Sequence, residues 1–130
     1  MDKVISFLNF IFYISVLLLI IFSLFPGSLL GFFLYEDLGR QPSLIENPYG
    51  AAINHFICYF CVSTLGFYLY LRKSNFKKLV YSLFFLSIIL EIVQFVVPKR
   101  VFEINDVSAN FIGVLTAFLL VKIYKFWRKS

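Results

Sequence analysis

Charge is scarce in this chain. Of its 130 residues only 15% are Asp, Glu, Lys or Arg, against 61% hydrophobic and 21% aromatic. A water-soluble domain this short leaves a large share of its surface outside the core, and so much apolar surface could not be hidden there. A bilayer removes the difficulty by acting as the solvent for that surface. The residues from which many catalytic and metal motifs are built are scarce too: one histidine, His55, and two cysteines, Cys58 and Cys61. No Gly-rich phosphate loop, HExxH or GxSxG motif occurs, and no cofactor or metal is expected. The cysteines lie three apart in an apolar run, which is poor geometry for a disulfide with each other along one helix. His55-x-x-Cys58-x-x-Cys61 has the look of a metal motif, but no fourth ligand is evident and the set would descend into lipid. Small residues packing in a span is the better account.

What the chain does have is four apolar runs, at about residues 4–25, 51–71, 79–97 and 107–127. Each has roughly the 20 residues that cross a hydrocarbon layer at 1.5 Å per residue. The breakers fall between them: Pro26-Gly27-Ser28, Asn47-Pro48-Tyr49-Gly50, Arg72-Lys73-Ser74-Asn75 and Pro98-Lys99-Arg100. The pattern predicts an all-α polytopic membrane protein, one membrane domain of four transmembrane helices. The first run is read as a span and not a cleaved signal peptide, because its core is long and no small-x-small site follows. The loop 26–50 is long for a connector. Its Leu29–Tyr35 stretch is too short to span and is expected in the interface.

The few charges are sorted by side. The amino terminus, the 72–78 loop and the carboxyl tail hold nine Lys/Arg and one acid, Asp2, whereas the other two loops hold three Lys/Arg and five acids. The net charge of +5 therefore reads as a topology signal and lipid contact, not as a nucleic-acid surface. The basic side stays in the cytoplasm, which puts both termini inside and the loops 26–50 and 98–106 outside.

Six polar residues then share an address. His55 lies near the outer start of the second span, Glu91 and Gln94 near the outer end of the third, and Asp106 and Asn110 at the outer start of the fourth. Arg100 hangs in the short loop above them. Glu91 and Gln94 share a helical face, as do His55 and Tyr59. Asp106, Asn110, Gly113 and Ala117 form one stripe, polar and then small, where a neighbouring helix could approach closely. Each residue has a plain structural reading: Asp106 as a helix N-cap, Asn110 and Gln94 as hydrogen-bond links between helices, His55 as a satisfied helix-end histidine, Arg100 as a lipid-phosphate contact. Glu91 is harder to set aside, because a carboxyl in a span needs a partner or a proton. Arg100 and His55 are the available partners.

With these stretches in view, the chain resembles the VanZ-like family of small bacterial membrane proteins, named for a teicoplanin-resistance protein. The resemblance rests on Asn54-His55-Phe56, on Glu91-Ile92-Val93-Gln94, on Arg100 after the Pro98 turn, and on Asp106 to Gly113. It runs from about residue 50 to 127. Ala51-Ala52 stand where family members often carry an Asp-Lys pair, which removes two outer-edge charges. The resemblance implies residence in the bacterial cytoplasmic (inner) membrane and a cell-envelope role. It implies no particular reaction.

Three functions follow as expectations. The first is binding of an anionic lipid, a lipid-linked precursor or a glycopeptide at the outer leaflet, with a possible link to teicoplanin resistance; His55, Glu91, Gln94, Arg100, Asp106 and Asn110 would form the site. The second is a membrane enzyme acting on an envelope-lipid headgroup, with His55, Glu91 and Asp106 as the catalytic candidates. The third makes the polar cluster internal glue. The sequence alone ranks them in that order.

Overall fold

The computed structural model describes residues 2–27, 29–38, 50–98 and 102–129. Every long element is a helix, as lipid requires: without water to bond exposed N–H and C=O groups, the backbone must satisfy itself. The helices are α1 (Asp2–Leu24), α2 (Leu29–Tyr35), α3 (Gly50–Tyr70), α4 (Phe76–Val93) and α5 (Ile104–Lys129). A 3-10 turn, Gln94–Val96, extends α4. The described residues contain no strand. Of the five helices, α1, α3, α4 with its 3-10 turn, and α5 are long and apolar enough to cross a membrane. The chain is a multi-pass membrane protein.

Sequence chemistry sets the helix ends. Pro98 disfavours helical geometry in the residue before it, and Val97 is accordingly extended (φ −85°, ψ 126°). The helix tightens into the 3-10 turn just upstream, and the Gln94 N–H is shared between the carbonyls of Glu91 and Ile92. The basic residues Lys77 and Lys78 belong to α4, which starts at Phe76, three residues before the apolar run. Long cationic side chains can do this at a membrane boundary by burying their stems and keeping the charge in the headgroups. Helix α5 likewise begins at Ile104, so Asp106 lies within its first turn. This corrects the N-cap reading of Asp106: the carbonyl of Glu103 already accepts from the N–H groups of Asp106 (3.1 Å) and Val107 (3.3 Å).

The bundle is organised around the pair α3 and α5. Small residues allow the close fit. A Cβ at Gly113 would lie 2.7 Å from the Phe56 carbonyl oxygen and 3.2 Å from the Phe60 nitrogen. Below it Val114, Ala117 and Val121 of α5 are buried against Tyr59 and Phe67 of α3, Leu71 just after it, and Phe76, Val80 and Leu83 of α4. Phe67 stands edge-on to both Phe76 and Phe118. In lipid this packing is held by dispersion and shape, since the tails are as apolar as the side chains. Helix α1 is attached more lightly, mainly to α3 and α4. Its one buried residue, Phe12, sits over Gly66, where a Cβ would fall 2.5 Å from the ring. Many of its other apolar side chains, including Val4, Phe7, Phe10 and Leu17, are exposed, as a lipid-facing helix requires. In α2, Phe32, Phe33, Leu34 and Tyr35 are exposed.

Candidate functional site

Consecutive spans alternate in direction, so the end of α4 meets the starts of α3 and α5 at one end of the bundle. Four ionisable or amide side chains interlock there. Asn110, one turn below Asp106, sends its amide nitrogen to the Ser87 carbonyl of α4 at 3.2 Å. A carbonyl can only accept, so the amide oxygen is left facing α3. There it meets His55 Nδ1 at 2.9 Å. That oxygen also can only accept, so Nδ1 must carry the proton. In the neutral ring Nε2 then bears the lone pair. It points toward Asp106, with Oδ2 3.7 Å away. That separation is beyond a direct hydrogen bond and is one that a bridging water, with a hydrogen for each side, can span.

Glu91 completes the group from α4. One donor atom from each of His55, Glu91 and Asp106 can be chosen so that all lie within 4.8 Å of one another. An imidazole and two carboxylates are also donor types used by divalent transition metals, and these three residues are the ones that could hold such an ion. Depth differs within the group. Glu91 and Asn110 are 1% exposed, while the side chains of His55 and Asp106 keep 15% and 10% of their surface. The imidazole and the Asp106 carboxylate form the accessible face, and Glu91 and Asn110 back them.

Gln94 is also buried, but it is turned to a different task. Its amide donates to the Ser23 carbonyl of α1 at 3.0 Å, tying the last turn of α1 to the 3-10 turn. Arg100 and Lys99 lie outside the described residues, so the pairing of Arg100 with Glu91 has no structural description. Cys58 and Cys61 are free and exposed, and neither belongs to the His55–Glu91–Asp106 group.

Two residues of the buried polar set escape a sequence reading. Ser87 is fully buried, its carbonyl holds Asn110, and its own hydroxyl donates to the Phe84 carbonyl at 2.6 Å. Ser63 is fully buried one turn beyond Tyr59, itself buried. A signal existed: Ser87 is four residues before Glu91, and Ser63 eight after His55, both helical repeats of a site position.

The family model described as VanZ/LLP1 matches residues 10–125 of the chain. That span reaches back through most of α1, beyond the stretch from residue 50 on which the motif resemblance rests. No curated protein and no solved structure matches the chain.

Proposed function

Starting from the fact that this chain belongs to the VanZ/LLP1 family, we propose that it is a membrane enzyme acting on an ester linkage at the headgroup of an envelope lipid. The observation that supports this is the imidazole of His55, held in one tautomer by Asn110, turned with its free nitrogen toward Asp106, and grouped with Glu91 within 4.8 Å. An imidazole with one nitrogen committed as a donor and the other open is suited to proton transfer.

In the proposed step a water sits between Nε2 and Asp106, donating one hydrogen to each. It gives its proton to Nε2 as its oxygen bonds to the acyl carbon or the phosphorus of the ester. The bond from that atom to the leaving oxygen breaks, and the imidazolium returns the proton to the leaving oxygen. Asp106 steadies the imidazolium, and Glu91 positions the two from behind. Both the acyl and the phosphoryl ester fit this chemistry.

Charge balance places binding of an anion second. The described site offers one imidazole and two carboxyl groups, a poor environment for a bare anion, and the cation on which that reading depended, Arg100, lies outside the described residues. The starts of α3 and α5 do favour an anion electrostatically, which is the feature that keeps the binding reading in view. In either reading the protein resides in the bacterial inner membrane with its termini inside, and the site opens to the outer leaflet.

The test is lipid mass spectrometry on membranes from cells expressing the wild type, His55→Ala or Glu91→Gln at matched protein levels. A lipid species gained or lost only with the wild type is expected. Loss of an acyl chain or of a headgroup identifies which ester is cut. An unchanged lipid profile with a lipid co-purifying only with the wild type would overturn catalysis in favour of binding. Teicoplanin susceptibility of the same strains tests whether the activity touches glycopeptide resistance.

A further inference from the structure

The opposite end of the bundle carries a second feature, which the proposed catalytic group does not use. A cleft of about 960 Å³ opens between the start of α1 and the last turns of α3 and α5. One wall is apolar, made by Val4, Ile5 and Leu8. Its rim carries four cations, Arg72, Lys125, Arg128 and Lys129, and no acidic residue lines it. Tyr68 and Tyr124 lie between the two, their ring centroids 6.0 Å apart. The Tyr124 hydroxyl accepts a hydrogen bond from Arg128 Nη1 at 3.0 Å, which holds that guanidinium at the rim. The cleft exists because α1 packs chiefly on α3 and α4, leaving the last turns of α5 uncovered on this side. Val4, Ile5, Tyr68 and Tyr124 are all exposed, so the cleft is open at the level of the lipid chains.

We propose that this cleft is a binding site for one anionic phospholipid of the leaflet at the basic end of the bundle. Its phosphate lies among Arg72, Lys125, Arg128 and Lys129, and an acyl chain runs along Val4, Ile5 and Leu8. The arrangement of charge and apolar surface selects this occupant. Free phosphate would leave the apolar wall uncovered. A second copy of the chain would bring its own cations against these. A zwitterionic lipid would carry a positive group into a rim that already holds four. Each Lys or Arg at a membrane surface strengthens the attraction to anionic lipid by roughly fivefold, so removing two from the rim should weaken binding by roughly 25-fold.

Native mass spectrometry of the full chain in detergent, titrated with phosphatidylglycerol or phosphatidylcholine, tests the site. The wild type is expected to retain phosphatidylglycerol in preference to phosphatidylcholine. Arg72→Gln/Arg128→Gln should lose that retention by the stated factor. Lys77→Gln/Lys78→Gln changes the net charge equally on exposed α4 residues outside the cleft, and it should keep the retention. Circular dichroism on both double variants establishes that each is folded, and if the cleft variant is not, the single Arg128→Gln, with an expected fivefold loss, replaces it. Equal retention of the two lipids, or equal losses in the two double variants, would overturn the proposal in favour of diffuse charge attraction. Displacement of the lipid by inorganic phosphate at the same concentration would overturn it in favour of a phosphate site.

Discussion

Asn110 and His55 stand in a fixed order of donor and acceptor: the amide oxygen lies 2.9 Å from Nδ1, and the amide nitrogen is spent on the Ser87 carbonyl. A contact on α4 thereby decides, through α5, which nitrogen of an imidazole on α3 is free. Few arrangements tie three helices together through so few atoms, and each atom in the relay can be changed separately.

The relay predicts a graded series. His55→Ala removes the proposed base and should lower lipid conversion by about 100- to 10,000-fold. Asn110→Ala leaves the base but frees its tautomer, so a smaller loss is expected, about 10- to 100-fold by analogy with other groups that orient a functional histidine. Asn110→Asp keeps an acceptor for Nδ1 and loses the donor to Ser87, and it should fall between the wild type and Asn110→Ala. Turnover measured on purified protein in lipid, at equal folded fraction, checks the order. Equal losses in all three would remove the orienting role.

Chelation separates two uses of the same side chains. If His55 Nε2 acts as a base, treatment with EDTA should leave lipid conversion unchanged. Activity lost to EDTA and restored by a divalent cation would reassign His55, Glu91 and Asp106 as metal ligands.

The two helix-contact glycines should differ in cost. At Gly113 an added methyl meets the backbone of Phe56 and Phe60, which cannot move without shifting α3. Gly113→Ala should destabilise the bundle by about 1–3 kcal/mol. At Gly66 the added methyl meets the far edge of the Phe12 ring, which can turn away on a lightly attached helix, so Gly66→Ala should cost less. Thermal unfolding in detergent, followed by circular dichroism, compares them; an equal or reversed order contradicts this account.

Orientation is open to direct measurement. With Cys58 and Cys61 replaced by alanine, a cysteine at Glu103 should react with a membrane-impermeant maleimide in intact cells, and one at Ser74 only after permeabilisation. The opposite pattern would turn the catalytic group toward the cytoplasm and end the outer-leaflet reading.

The spans were legible because hydropathy over 20 residues is a strong one-dimensional signal, and the structure moves their ends by only a few residues. The shifts at α4 and α5 come from side chains that hydropathy scores as polar but a helix accepts, Lys77 and Lys78 at one end and Asn105 and Asp106 at the other. Helical spacing also carried the faces: Asp106, Asn110, Gly113 and Ala117 are all buried. It did not reveal Ser63 and Ser87, because a serine in an apolar run reads as a small packing residue until its neighbours in space are known. Nor could spacing tell that Gln94 turns to the Ser23 carbonyl while Glu91 joins His55, since that choice depends on where α1 lies. The basic-end cleft was invisible for the same reason, being a gap between helices distant in sequence.

One consequence follows from the sharing of the His55–Glu91–Asp106 group among three helices. During synthesis α3 and α4 enter the membrane before α5 exists, and Glu91 then lacks Asp106 beside it, as His55 lacks Asn110. The polar group is completed only when the last span arrives and its Gly113 face settles on α3. A chain cut short before α5 would therefore present a carboxyl and an imidazole to lipid, a mark by which membrane proteases could tell an unfinished molecule from a finished one.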